Sequence, residues 1–361
     1  MYRKKILLIT VRADFGGGPK HVDLLINNIS NNFELYVACP PDKPYFELWQ
    51  NNPKVKSVFQ LPHRKFNTSK LTSLAAYCRQ NQIGVVHSHG KGAGVYARLL
   101  KIMLPSLKVI HTLHGFHIGE YGQLQKQLYF LYEKALAPLT KTFINVSEGE
   151  KKQCIDFKLF KPNHSVVIYN AIAPLENKAI PILPKLANKT VITTISRFDF
   201  QKNMELAYEI AKVFKNQPDV AFLWIGDGSD KPKLAALAQR EKLQNIYFTG
   251  FCDNIAGYLS LTDIYLSTSR WEGLPYALIE AASVGIPIVA SDVVGNNEIV
   301  EPNNNGFLFN LNSPEEAVAY LKLLVADKDT YAAMSEAAYR IFQKKFRIEA
   351  MIAKLESVYE N

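Results

Sequence analysis

The sequence predicts an α/β protein made of two doubly wound domains, each around its own parallel sheet. Three observations predict it. Apolar runs of strand length lack polar alternation, as in strands buried on both faces. Segments of helix length and pattern lie between them. The same alternation stops at a proline-bearing stretch and then restarts.

In the first half "KILLIT" (5–10), "ELYVAC" (34–39), "IGVVHS" (83–88), "LKVIHT" (107–112), "KTFINV" (141–146) and "HSVVIY" (164–169) mark six strands. "SKLTSLAAYCRQ" (69–80) is one of the helices between them. "NAIAPLENKAIPILPKLANK" (170–189) carries three prolines and no sustained period, which reads as a linker. Six more strands follow: "TVITTIS", "VAFLWIG", "NIYFTG", "DIYLSTS", "GIPIVAS" and "GFLF". The segment from Asp329 to Tyr359 is helical in pattern. Open parallel sheets bind ligands beyond the carboxyl ends of their strands, so two facing sheets would make a cleft.

Composition narrows the class. With 48 % hydrophobic and 21 % charged residues, the 361-residue chain has apolar material for two cores. Cys39, Cys78, Cys154 and Cys252 form no C-x-x-C pair, which suggests a reducing compartment, the cytosol. "MYRKKILLIT" runs straight into a strand, with neither a signal peptide nor a spanning helix expected. Charge is uneven: residues 1–170 hold 23 Lys+Arg against 10 Asp+Glu, a net +13, and the remainder 19 against 23, a net −4. That asymmetry suits an anionic partner such as a membrane surface, a phosphorylated substrate or nucleic acid, but also a solubilising surface. No recognisable nucleic-acid motif accompanies it.

Several strand ends carry candidate chemistry. The first strand runs into "VRADFGGGPKHVDLL", where Gly16, Gly17, Gly18 and Pro19 open a helix. Its free N–H groups suit a phosphate, although a plain flexible turn reads equally well. "TISRFDFQKN" places Arg197 and Lys202 beyond a strand end, a guanidinium fork and an ammonium suited to a diphosphate. "STSRWEGLPYALIEAASV" sets Glu272 on a loop and Glu280 in the second turn of a helix. The amides of Gly273, Leu274 and Tyr276 lie where intrahelical partners are lacking. Glu280 sits among apolar residues and wants a specific partner; ribose hydroxyls would serve, as would a salt bridge.

"SRFDFQKN", "GDG" at 226–228, the E-x7-E of Glu272 and Glu280, and "GIPIVASDVVGNNEIV" together resemble the donor-site signature of family 4 glycosyltransferases. The glycine loop, "IYNAI" before the linker and "NGFLF" extend the likeness over nearly the whole chain. The resemblance implies the GT-B fold and retaining transfer from a nucleotide-sugar, UDP-linked by family habit. It implies domains at 1–170 and 189–345, a linker at 171–188, and a closing helix at 346–361 that returns to the N-terminal domain. By position, Arg197 and Lys202 would bind the diphosphate and Glu280 the ribose. Glu272, with the amides of Gly273, Leu274 and Tyr276, would hold the donor sugar. Gly17 and Gly18 would close over phosphate and sugar. Asn296 stands where the family commonly has glycine, so Gly295 and Glu298 carry over weakly.

Such a site works without a divalent ion, and no D-x-D occurs at a strand end. In "HTLHGFH", His111, His114 and His117 are spaced i, i+3, i+6 along a strand, with no cysteine or H-E-x-x-H beside them, so no metal is expected. By the resemblance, His114 would point at the transferring sugar, with His111 packed in the strand and His117 toward the acceptor. "VVHSHGKGAGVYARLLKIM" adds His87, His89 and Lys91 at another strand end, then Arg98, Lys101 and Lys108. Tyr121, Tyr129, Phe130 and Tyr132 follow on a helix, a basic and aromatic mixture that suits an interfacial helix or a core with solvated lysines. Many family members act on lipid-linked acceptors at the inner face of the cytoplasmic membrane, which would explain the basic half. A lipid-linked or oligosaccharide acceptor and an anionic membrane surface are therefore the expected partners. A UDP-sugar 2-epimerase on the same fold and a non-catalytic nucleotide-sugar-binding module are the rival readings.

Overall fold

The computed structural model describes residues 3–115, 122–175 and 186–361. The chain folds as two compact units, 1–170 with 348–361, and 171–347. The strands of the first unit are β1 (Lys4–Thr10), β2 (Phe33–Cys39), β3 (Val55–Gln60), β4 (Val85–His89), β5 (Lys108–Thr112), β6 (Thr142–Asn145) and β7 (Ser165–Val167). Those of the second are β8 (Thr190–Ile195), β9 (Val220–Ile225), β10 (Ile246–Gly250), β11 (Ile264–Ser267), β12 (Ile288–Ser291) and β13 (Gly306–Phe309). The helices, in chain order, are α1 (Gly17–Asn28), α2 (Tyr45–Gln50), α3 (Thr68–Gln80), α4 (Lys91–Met103), α5 (Gln123–Leu136), α6 (Glu148–Asp156), α7 (Met204–Val213), α8 (Lys231–Arg240), α9 (Ile255–Leu259), α10 (Tyr276–Ser283), α11 (Asn296–Ile299), α12 (Pro314–Ala326), α13 (Lys328–Lys345) and α14 (Ile348–Glu360).

Both sheets are parallel and doubly wound. Their orders are β3-β2-β1-β4-β5-β6-β7 and β10-β9-β8-β11-β12-β13. The strand order therefore reverses between β1 and β4 in one unit and between β8 and β11 in the other. At such a switch point the connections leave in opposite directions and open a crevice at the strand ends. The central strands are buried on both faces, as their unbroken apolar runs require: Ile6 to Ile9 and Phe222 to Trp224 are fully enclosed.

Seven strands form the first sheet, one more than the apolar runs marked. β3, "VKSVFQ", lies at the sheet edge, and only Val55 of its six residues is buried. An edge strand with Lys56 and Ser57 inside it has no continuous apolar run to find. α13 and α14 are separate helices, broken at Phe346–Arg347, where Ile172 N–H donates to Phe346 O at 3.1 Å. α14 packs within the first unit. Tyr359 is buried there, and the ammonium groups of Lys4 and Lys108 donate to the carbonyls of Tyr359 (2.8 Å) and Val358 (2.6 Å). All four cysteines are free thiols.

Candidate active site

In the second unit the switch point between β8 and β11 holds the charged residues. β8 ends at Ile195 and the chain turns through Ser196–Asn203 into α7. The Thr268 hydroxyl after β11 donates to the carbonyls of Lys202 and Asn203, both at 3.0 Å. Gln201 Nε2 donates to Trp271 O at 3.0 Å. Those bonds tie the two loops together and bring Lys202 to Glu272, Nζ to Oε1 at 2.5 Å, with side chains only 18 % and 7 % exposed. Arg197 lies nearer the surface, its guanidinium on Asp199 Oδ2 at 2.9 Å and Gln201 Oε1 at 3.2 Å. The two cations are thus held by acidic and amide neighbours of their own loop pair.

α10 begins at Tyr276 with Pro275 as its N-cap, so Gly273 and Leu274 immediately precede it. Glu280 is buried in its second turn. Tyr265 of β11 carries both carboxylates' influence: burial, then the charges of Glu280 and Glu272, push its hydroxyl well above the usual range. Gly295 closes the site from behind. Its φ is +89°, and a Cβ there would stand 2.5 Å from Gly273 O and 3.2 Å from Glu272 Cβ. Any side chain would push Glu272 and Gly273 out of place. Asn296, one residue on, is buried and donates to Ser291 O at 3.0 Å, so it serves the loop as a hydrogen-bonded strut.

In the first unit the switch point carries histidines. Gly16 caps α1, which places Gly17 and Gly18 in its first turn. The ring of His114 lies against Gly18, whose absent Cβ would sit 3.8 Å from His114 Cδ2. His114 follows β5 in the left-handed region, φ +60°. Its Nε2 lies 3.0 Å from His89 Nδ1 at the end of β4. His21, one turn into α1, meets the same cluster, with its ring centre 4.8 Å from that of His114 and its Nδ1 on Asn170 Oδ1 at 3.1 Å. Gly115, directly after His114, is anchored by Glu150, whose fully buried carboxylate accepts from the N–H groups of Gly115 and Val146, the latter at 2.7 Å.

Burial keeps these imidazoles neutral. It lowers His21 to about 4, against a weaker opposing hydrogen bond from Asn170, and it lowers His89 and His114 well below the usual range. Ring nitrogens of His21, His89 and His114 lie within 4.8 Å of one another, as do ligand atoms of Asp14, Asp42 and His63. Those are the described groups whose atoms could converge on a cation. In the histidine cluster the His89–His114 hydrogen bond already engages one nitrogen of each ring, and the N-terminus of α1 adds positive potential.

Some sequence expectations for this unit need correction. His87 is fully buried with both nitrogens occupied, by the Tyr359 hydroxyl at 2.6 Å and Thr112 Oγ1 at 2.8 Å. It packs the sheet against α14 and presents no group to an acceptor. Arg98 is fully buried, its guanidinium 2.9 Å from Glu133 Oε2, with Nε donating to Thr140 Oγ1 at 3.1 Å. Lys101 and Lys108 donate to backbone carbonyls. This run is internal framework rather than a displayed basic strip. Lys91 keeps its place at the start of α4, its ammonium 4.4 Å from the Tyr129 ring centre and lowered by burial to about 8. Tyr129 and Phe130 pack inward on a small core with Phe143 and Phe160. His111 is fully buried in β5, 2.8 Å from the Ser88 hydroxyl. His117 and Tyr121 lie outside the described residues.

The Arg98–Glu133 pair yields a direct test. Glu133→Gln strands a buried guanidinium and should cost the first unit about 3–5 kcal/mol in urea unfolding. Arg98→Met with Glu133→Leu should recover most of it. Equal losses in both variants would show that the pair is not what holds α5 to the sheet.

His21, Glu150 and Gly295 were not legible as site residues from sequence, or only weakly so. An imidazole five residues after the glycine run and an acidic residue following a strand end are faint signals until the fold brings them together.

Two doubly wound parallel-sheet units, each with its conspicuous polar residues at the switch point, define the GT-B class of architecture. Comparison with known proteins then sharpens the class. The family profile described as Glycosyltransferase Family 4 matches residues 15–174, and Glycosyl transferases group 1 matches 176–341. The chain belongs to these glycosyltransferases. It is 28 % identical over 350 residues (91 % of this chain, 89 % of the relative) to UDP-Gal:alpha-D-GlcNAc-diphosphoundecaprenol alpha-1,3-galactosyltransferase of Escherichia coli. It is 27 % identical over 363 residues (98 % and 99 %) to the O-antigen biosynthesis glycosyltransferase WbnH of the same organism. Among solved structures it shares the fold of Anabaena Alr3699/HepE, crystallised with UDP and glucose, at TM-score 0.87 and 18 % identity over 99 % of this chain and 100 % of that one.

Proposed function

We propose that this glycosyltransferase moves a sugar from a UDP-sugar to a lipid-linked glycan, with retention of the anomeric configuration, in cell-surface polysaccharide synthesis. One observation carries the reading. Arg197 and Lys202 at the end of β8, and Glu272 and Glu280 after β11, gather around one switch point in the donor signature's order. UDP stands with the solved relative, and a sugar-diphosphoundecaprenol acceptor stands in an Escherichia coli relative's name.

The roles follow from charge and position. As the bond from sugar to diphosphate breaks, negative charge grows on the leaving group. Arg197, Lys202 and the amides of Gly273, Leu274 and Tyr276 at the start of α10 meet it. To do so, Lys202 exchanges its contact with Glu272 for the phosphate. Glu272 is released in the same step to accept from donor-sugar hydroxyls, while Glu280 accepts from the ribose. Within the first unit, Gly17, Gly18 and His114 are assigned to phosphate and sugar, and His89 and Lys91 to the acceptor. Protein cations meet the leaving group, so turnover should be unchanged within about twofold by a chelator. The enzyme works at the cytoplasmic face of the membrane; no described helix is long and apolar enough to cross it.

His114 is half-buried and held neutral by its surroundings, and His89 Nε2 has no hydrogen-bond partner among the described residues. A buried orphan N–H is rarer than an orphan acceptor. His89 therefore carries its proton on Nδ1 and donates to His114 Nε2, which leaves His114 its proton on Nδ1 as a donor. His114→Ala should lower transfer by about a hundredfold or more while UDP affinity survives. Turnover and calorimetric titration with UDP check both parts, and near-normal turnover would remove His114 from the site.

The donor reading is tested by thermal shift with UDP-, GDP- and ADP-sugars, since a ligand bound only by the native state raises its melting temperature. A UDP-sugar should give the largest rise. A larger rise with another nucleotide would overturn the UDP assignment.

A further inference from the structure

α5 carries a second apolar stripe on its outer face. Leu124, Leu128 and Leu131 are 57–68 % exposed, whereas Glu133 on the opposite side is 2 % exposed and ion-paired with Arg98. Positions i, i+4 and i+7 share one helical face, and exposed Ala135 continues that line. A single exposed leucine means little, but three in one stripe make an apolar face that wants covering. Inward contacts anchor the helix: the Arg98 pair, Lys91 over Tyr129, and Phe130 stacked on Phe157 with ring centres 4.8 Å apart. Phe157 is itself exposed and is followed by exposed Lys158.

We propose that the Leu124–Leu128–Leu131 face of α5 inserts into an anionic bilayer. It rests on the proposed lipid-linked acceptor only for its purpose; the face itself is read from exposure. Charge selects the bilayer over other occupants. The half of the chain that carries α5 has a net charge of +13, and α5 displays Lys134 at the margin of the leucine stripe while its one acid is neutralised internally. An apolar stripe with an exposed lysine at its margin, on a basic body, fits the interface of anionic headgroups and acyl chains, with the helix lying in the membrane plane. Tyr129 and Phe130, expected from sequence to make that contact, serve instead to fasten the helix.

The test is flotation of the full chain with vesicles of phosphatidylcholine alone and of phosphatidylcholine with phosphatidylglycerol. Wild type should float with the anionic vesicles. Leu124→Ser/Leu128→Ser/Leu131→Ser should lose partitioning on the order of a hundredfold. These side chains face outward, so the variant should keep its thermal unfolding profile. It should also keep its transfer to a short-chain, water-soluble acceptor, and lose transfer to a long-chain acceptor embedded in vesicles. Wild-type flotation by the triple variant, or no flotation of wild type with anionic vesicles, would overturn the proposal. A wild-type dimer that becomes monomeric in the variant, read by light scattering, would assign the face to a second copy instead. Leucine-dependent flotation without transfer to either acceptor would leave the membrane face standing and sink the acceptor reading.

Discussion

Replacing Lys202 by methionine is expected to lower kcat/KM for sugar transfer by about two to three orders of magnitude, the usual effect of removing one preorganised donor from a developing anion. Lys202 has two tasks. It pairs with Glu272 at 2.5 Å, and in the proposed reaction it meets the leaving diphosphate. Removing it also leaves a carboxylate only 7 % exposed without that partner, which should cost roughly 1–3 kcal/mol of stability. The two consequences separate in a second variant. Lys202→Met with Glu272→Gln removes both charges and should recover most of the melting temperature, yet it should transfer no faster than Lys202→Met alone. Recovery of transfer along with stability would mean that Lys202 acts only as a strut for Glu272.

Mild acid should unfold the first unit before the second. All eight histidines lie within residues 1–170. Burial lowers His21 to about 4 and His87, His89, His111 and His114 well below the ordinary value of 6.5. Their charged neighbours do nothing to reverse this. His111 faces Arg98, and His87 and His89 face other imidazoles. Below pH 6.5 the unfolded chain takes up protons at these rings and the folded chain does not, so stability falls as pH falls. The loss for His21 runs from about 6.5 down to its folded value of about 4. Each such histidine contributes a slope of about 1.4 kcal/mol per pH unit in its window. Asp23, raised by burial, opposes the trend in this unit as a single group. The second unit has no histidine to respond. Calorimetric scans at pH 7.5, 6 and 5, with iodide quenching of buried Trp49 as the reporter for the first unit, should show its transition moving down fastest. Transitions that move together, or a second-unit loss that leads, would contradict the histidine account.

The unbroken apolar runs that located the sheets also located the proposed donor residues. Strands buried on both faces write unbroken apolar runs, and chemistry at a switch point follows such a run directly, as "TISRFDFQKN" follows β8. β3 escaped because an edge strand needs no such run. The histidine cluster was half legible: His89 and His114 stand at strand ends, but His21 enters from the second turn of α1, and no spacing along the chain joins it to them. His87 and Arg98 misled for the opposite reason. A polar residue near a strand end looks available until burial and partners are known, and Tyr359 and Glu133, which occupy them, lie 272 and 35 positions away. The exposed leucines of α5 were also hidden, because helical periodicity does not say which apolar stripe faces the core.

The measurement closest to the central claim is acceptor-dependent release of UDP. The protein is incubated with a panel of UDP-sugars, with and without a glycosyl-diphospholipid acceptor, and the product is isolated for proton NMR. Transfer with retention predicts free UDP only when acceptor is present, and a new glycosidic bond with the anomeric configuration of the donor. UDP released equally without acceptor, together with an epimerised sugar, or a product of inverted configuration, would contradict it.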